Sequence, residues 1–195
     1  MTFKVRLLLG AAAPLVFSLP AFAQVSISTA TTAPVSTNTA NSGSPSDVAI
    51  TSSGSITLTT AGSAAVTINS NNKLTNAGTI VTNNADNSVG VRILPGVTGG
   101  YSATGAINLT EDYVRTDTDS DGDLDGPLAS GTGRVGILVD TGGTVTGDIV
   151  MGFTTATTPT ASTILVEGND SYGVSVRSNL NGGYLQNGGD RKSVV

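Results

Sequence analysis

Between residues 47 and 84 the sequence reads DVAITSSGSITLTTAGSAAVTINSNNKLTNAGTIVTNN. Three short runs in it, 55–59, 65–69 and 78–82, alternate apolar and polar side chains. A period of two puts Ile56 with Leu58, and Val66 with Ile68, on one face of a strand. Ile56, Val66 and Ile80 recur about every 10 to 14 residues, with Gly and Asn between them. Gly and Asn supply turns with positive φ. Strands this short bury little by themselves, so their apolar faces must stack on one another into a column.

A longer repeat follows. SVGVRILPGVTGGYSATGAINL begins at Ser88, RVGILVDTGGTVTGDIVM at Arg134 and SYGVSVRSNLNGGYLQNGG at Ser171. Each copy has an x-Gly-Val/Ile-x-Ile/Val strand, a Gly-Gly turn and a second short strand. The aligned glycines are Gly90, Gly136 and Gly173, then Gly99–Gly100, Gly142–Gly143 and Gly182–Gly183. The spacing is 46 and then 37 residues because insertions fall between copies, at 111–132 and 152–162. Insertions confined to one place in a repeat are what a stack of structural repeats tolerates. The predicted fold is all-β, a parallel β-helix (β-solenoid) over 47–189 with Gly/Asn turns and projecting loops. A β-sandwich of Gly-rich hairpins is the competing all-β reading.

Composition supports a narrow core. Hydrophobic residues make up 38% of the chain but aromatic ones only 4%, so any core is built of Val, Ile and Ala rather than Leu and Phe. Cysteine and histidine are absent. That excludes disulfides, the usual zinc sites and the Ser-His-Asp and Cys-His catalytic arrangements. Of the 14 acidic and 9 basic side chains, Asp190, Lys4, Arg6, Arg191 and Lys192 lie outside 24–189, which leaves 13 acidic, 5 basic and a net charge of −8 there. Such a balance disfavours nucleic acid and anionic lipid as partners.

The ends read differently from the middle. Residues 1–23 combine Lys4 and Arg6, an apolar run over 7–17 and Ala21-Phe22-Ala23, the three parts of a signal peptide cleaved after Ala23. Residues 24–46 are small, polar and interrupted by Pro34 and Pro45; the start is compatible with one strand, and the segment is otherwise expected to be a flexible leader. Residues 190–195, DRKSVV, resemble the translation of a sequencing adapter and are expected to be a non-native tail, the natural frame continuing past Gly189.

A Sec-type signal ahead of Ser/Thr/Asn/Gly-rich strands, with LTNAGTI at 74–80 and the VGI…GGTVTGDI unit at 135–149, resembles the passenger region of an autotransporter, the type V secreted proteins of Gram-negative bacteria. The resemblance covers roughly 49–189 and is one of repeat style. It implies export through the periplasm to the cell surface, outer membrane or extracellular space, with membrane association only through a C-terminal β-barrel that this chain does not contain. It also implies a structural or adhesive role toward host-cell, matrix or bacterial surface ligands, rather than an enzyme. The alternatives are a secreted β-helix lyase or hydrolase acting on polysaccharide, and a barrel-free surface-layer or biofilm protein.

One stretch carries candidate site residues. RTDTDSDGDLDG, 115–126, places Asp117, Asp119, Asp121, Asp123 and Asp125 at alternate positions. Calcium takes several hard oxygen ligands on a tight loop with a glycine. The spacing supplies oxygens at loop positions 1, 3, 5, 7 and 9, with Gly122 at position 6, as in the first half of an EF-hand loop. Leu128 stands where the bidentate glutamate would be, so Asp125, Glu111 or Asp112 is expected to complete the shell. A solvated acidic turn without a metal is the plain alternative. Glu111 and Asp112 could also form an acid/base pair, although no aromatic platform for sugar accompanies them. Arg92, Arg134 and Arg177 are expected to point outward, and Tyr101, Tyr113, Tyr172 and Tyr184 to sit at strand edges. Asn69, Asn71, Asn72, Asn76, Asn83, Asn84 and Asn87 are expected to serve turns.

Overall fold

With one local exception, the strands of this chain find their partners in segments 23 to 57 residues away, and those partners run parallel. A parallel pair needs a crossover connection, and here the crossovers are themselves strands of other sheets. The computed structural model describes residues 24–125, 129–154, 159–187 and 191–194. The expected signal segment 1–23, and Leu128, Asp190 and Val195, lie outside them.

The first circuit of the chain holds β1 (Val25–Ile27), β2 (Ala30–Thr31) and β3 (Val35–Ser36). The second holds β4 (Val48–Ile50), β5 (Ser55–Leu58) and β6 (Ala64–Ile68). The third holds β7 (Leu74–Asn76), β8 (Thr79–Asn83) and β9 (Val89–Ile93). The fourth holds β10 (Tyr101–Ala103), β11 (Ala106–Thr110) and β12 (Val135–Val139), followed by the short β13 (Thr144–Val145). In the fifth, β14 (Ile149–Met151) leads into the antiparallel pair β15 (Phe153–Thr154) and β16 (Pro159–Thr160), then β17 (Thr163–Glu167), β18 (Tyr172–Val176) and β19 (Asn179–Leu180). Finally come β20 (Tyr184–Gln186) and β21 (Arg191–Val194). The chain visits three sheets in rotation. Their orders are β1-β4-β7-β10-β14-β20, β2-β5-β8-β11-β17-β21 and β18-β12-β9-β6-β3. No helix occurs among the described residues.

Register turns the alternation into columns. Ile56, Ile80, Ile107 and Ile164 are aligned partners down the second sheet, and each is at most 1% exposed. Val66, Val91 and Ile137 stack down the third sheet, fully buried, and Val174 packs on them. Val48, Leu74, Tyr101 and Ile149 stack down the first. At about 25 cal/mol per Å² of apolar surface removed from water, such columns are the main favourable term holding neighbouring circuits together.

The corner between the first and second sheets shows why glycine recurs. Gly54, Gly78 and Gly105 lie one above another, and a Cβ on each would collide with the carbonyl of the preceding circuit: Ile27, Gly54 and Gly78 respectively. In the third sheet Gly90, Gly136 and Gly173 are in register, as the sequence alignment expects. The Gly-Gly alignment is corrected. Gly99, Gly147 and Gly182 approach one another, while Gly142–Gly143 sits against Pro95.

Two further expectations change. Residues 24–46 supply the three strands of the first circuit and pair in parallel with β4, β5 and β6; among the described residues these strands stand at the ends of their sheets. Tyr101 is not at a strand edge but in the core, 1% exposed. Its hydroxyl accepts a hydrogen bond from the buried Asn76 side chain at 3.3 Å. Asn76 Oδ1 in turn accepts from the Gly78 N–H at 3.1 Å, so this asparagine serves a turn from inside. Burial of Tyr101 pushes its phenol well above the usual range, opposed by the Asn76 bond. Tyr172 and Tyr184 are exposed. Residues 191–194 fall in the sixth strand of the second sheet, with Ile164 aligned on Arg191.

Candidate functional site

The 111–132 insertion leaves the second sheet after β11 and returns at the start of β12, so its two ends lie at one corner of the stack. Its tip carries the five aspartates. The Asp125 N–H donates to the Thr116 carbonyl at 3.0 Å, and this antiparallel bridge closes the loop. Inside it the backbone turns at Ser120 and Gly122, with φ of 63° and 98°. The carboxylates hold those turns. Asp117 accepts from the Ser120 and Gly122 N–H groups at 2.6 and 3.2 Å. Asp119 accepts from the Asp121 N–H and Asp121 from the Asp123 N–H, at 3.3 and 3.1 Å.

Of the five predicted ligands the loop brings three together. Asp117, Asp119 and Asp125 each offer a carboxylate oxygen within 4.8 Å of the others. Asp121 and Asp123 lie outside this group. Asp125 also accepts from the Thr118 hydroxyl at 2.7 Å and its N–H at 2.9 Å, and these bonds draw its pKa below the ordinary aspartate value. Three convergent carboxylates in water suit a hard, oxygen-seeking divalent cation.

Glu111 and Asp112 do not complete that shell. Asp112 Oδ2 is taken by the side-chain amides of Asn83 and Asn84 at 2.6 and 3.4 Å. Glu111 belongs to a second cluster, at the base of the insertion, which the sequence reading missed. There Arg134 is buried, its side chain 1% exposed, instead of pointing outward as expected. Its Nη1 donates to Glu111 Oε2 at 3.1 Å and to the Glu167 carbonyl at 2.8 Å. Its Nη2 donates to Asp86 Oδ1 at 3.0 Å and its Nε to the Ala85 carbonyl at 3.3 Å. One guanidinium thus ties three successive circuits. The Glu111 carboxylate also accepts from Ser130 N–H and hydroxyl at 3.1 and 2.9 Å, and from the Gly131 N–H at 2.7 Å, which staples the insertion's two ends together. A Cβ at Gly131 would run into Arg134 and Asp86, so glycine there lets the cluster close.

Burial by itself would raise the Glu111 pKa. The bonds from Gly131, Arg134 and Ser130 outweigh it and lower the value to about 2. Glu111 is therefore an anion at neutral pH and a poor proton donor, and with Asp112 bound elsewhere the acid/base pair is not assembled. Arg134 stands where the other two repeat copies have Ser88 and Ser171, and its N–H donates to the Ser171 hydroxyl at 3.1 Å. A lone Arg at a serine position, beside an acidic insertion, was the available signal. Arg92 is partly exposed and meets Asp140 at 3.5 Å, and Arg177 is exposed, both as expected.

A second concave feature runs over the outer face of the first sheet. It encloses about 470 Å³ and is lined by Asp47, Asn71, Lys73, Thr98, Ser102 and Asp148, among others. Asp47, Lys73, Gly100 and Asp148 each precede a strand of this sheet, one per circuit. Comparison with protein-family models finds no match for the chain, nor does comparison with curated proteins or with solved structures.

Proposed function

We propose that the three sheets visited in rotation form a parallel β-helix, and that the chain is a surface-exposed structural and adhesive passenger region of the autotransporter type. The observation that carries this reading is the stacking itself. Columns such as Ile56–Ile80–Ile107–Ile164 run through successive circuits, while insertions leave the stack sideways without breaking it. A shaft built mostly from contacts between neighbouring circuits, with no disulfide to form, suits a chain that folds after export. Residues 1–23 supply the signal for the first step of that route. The test is surface labelling of intact cells that make the protein, with an antibody against residues 111–125. Labelling without permeabilisation is expected; labelling only after permeabilisation overturns the assignment.

The aspartate loop is proposed to bind calcium through Asp117, Asp119 and Asp125. Their convergence within 4.8 Å supports this, and an extracellular setting tolerates a weak site with Kd of about 10⁻⁴–10⁻³ M. Calorimetric titration of the full chain is expected to give a saturable calcium heat that vanishes in Asp117→Ala/Asp125→Ala. Titration without such heat, or heat that survives the double substitution, sinks the proposal.

A further inference from the structure

The geometry points to the groove on the outer face of the first sheet as a binding site for an extended, neutral, β-1,4-linked glycan lying across the strands. This deepens the adhesive reading and rests on it for its biological setting, but the binding itself is testable on the protein alone. The groove follows the stacking direction, because the aligned partners Val48, Leu74, Tyr101 and Ile149 bring the residues before them into one line. Asp47 and Asp148 stand at its two ends, three strand spacings or about 14 Å apart. Lys73 lies between them. The floor is low because Ser102 and Val150 are the outward residues of their strands.

Each carboxylate is already held in place from one side. Asp47 Oδ1 accepts from the Lys73 N–H at 3.0 Å and the Asn72 side chain at 3.1 Å. Asp148 Oδ1 accepts from the Gly183 N–H at 2.7 Å. Both side chains line the groove with their second oxygens outside these bonds. A separation of about 14 Å exceeds the roughly 5–9.5 Å that glycosidases place between their two carboxyl groups, so the pair fits holding a chain rather than cutting it.

Chemistry narrows the occupant. The groove is open and polar, so it cannot bury an apolar small molecule. Two carboxylates against one ammonium disfavour polyanions. The backbone groups of this sheet are spent on its own ladders, so a peptide strand has no edge to pair with here and recognition must go through side chains. A polyhydroxylated chain meets these terms. Its hydroxyls donate to Asp47 and Asp148 and accept from Lys73 and from the Ser102 and Thr98 hydroxyls, and its repeat is comparable to the strand spacing.

The experiment is isothermal titration of the full chain with cellohexaose, mannohexaose and hexalysine, repeated on Asp148→Asn and Ser102→Trp. Asp148→Asn keeps an oxygen for the Gly183 N–H, and Ser102→Trp fills the floor. Saturable binding of at least one hexasaccharide is expected, weakened about tenfold or more by either substitution at unchanged circular dichroism. If Ser102→Trp alters the fold, Asp148→Asn decides. Three results overturn the proposal: no heat with either hexasaccharide, binding of hexalysine in their place, or hexasaccharide binding that Asp148→Asn leaves intact.

Discussion

At the tip of the 111–132 insertion five carboxylates crowd into nine residues and stay in water. At its base Glu111 and Asp86 meet an arginine that water does not reach. The two regions use the same side-chain chemistry to different ends. At the tip, repulsion is screened by solvent, and Asp117, Asp119, Asp121 and Asp125 answer to nearby N–H groups, so the aspartates shape a turn. At the base Arg134 is fully buried and Glu111 largely so, while Asp86 keeps part of its side chain in water, and the buried guanidinium is held by carboxylates and carbonyls on every side. Charge density alone therefore misleads: the stretch with most charge is the one whose single members matter least to stability.

Removing the arginine breaks the comparison most sharply. Arg134→Met leaves Glu111 nearly buried without its cation, and loss of one partner of a buried pair costs about 3–5 kcal/mol. For a chain of this size that is a fall in Tm of roughly 6–20 °C. Thermal unfolding followed by circular dichroism reads it. Adding Glu111→Gln to Arg134→Met should restore part of the loss, since a neutral amide is cheaper to leave unpaired. A Tm of Arg134→Met within a degree or two of the parent would show that the guanidinium is solvated.

The base should also answer to acid. The Glu111 pKa is about 2 in the folded chain against an ordinary 4.5. A depressed carboxyl stabilises the fold at pH values above its unfolded pKa, and that contribution is lost as pH falls from about 4.5 toward 2. Its size is at most about 3 kcal/mol, and solvent screening of the partly exposed cluster lowers it. Glu111→Gln should be less stable than the parent at pH 7, and the gap should close by pH 2. A gap independent of pH would locate the effect in packing rather than charge.

Calcium would invert the ranking by giving the tip a partner of its own. With Kd near 10⁻⁴ M, millimolar calcium adds about 1.4 kcal/mol. Differential scanning calorimetry with and without the ion should show that gain in the parent and its loss in Asp117→Ala/Asp125→Ala. A gain that survives the double substitution would place the ion elsewhere.

The sequence showed the parts of this fold better than their assembly. The strands around Ile56, Val66 and Ile80 lie within a residue or so of their expected bounds, because alternation is a local property. Register is not local. Circuits differ in length, so Gly142–Gly143 matches the other Gly-Gly pairs in sequence while Gly147 matches them in space. The first circuit was hidden because residues 24–46 hold few apolar side chains, Val25, Ile27 and Val35 among them, and join the sheets through backbone bonds that any residue makes. Arg134 was hidden by a sound default, that a lone arginine points to water. Of the site, the loop and its turn at Gly122 were legible. Which three aspartates converge was not, since that depends on which carboxylates the backbone N–H groups claim.

The smallest expected effect lies at the tip and tests the other half of the contrast. Asp121 and Asp123 are exposed, lie outside the convergent group of three, and cap nothing beyond the next turn of their own loop. Asp121→Asn and Asp123→Asn keep an oxygen at each position and remove one negative charge. Each should change stability by no more than about 0.5 kcal/mol in the absence of calcium. The sign should favour the variant, because one fewer carboxylate means less repulsion among the rest. High salt should erase even that gain by screening it. A loss above 1 kcal/mol, or a change that salt leaves intact, would mean that the tip is held by these charges as firmly as the base is by Arg134, and the contrast between the two ends of the insertion would fail.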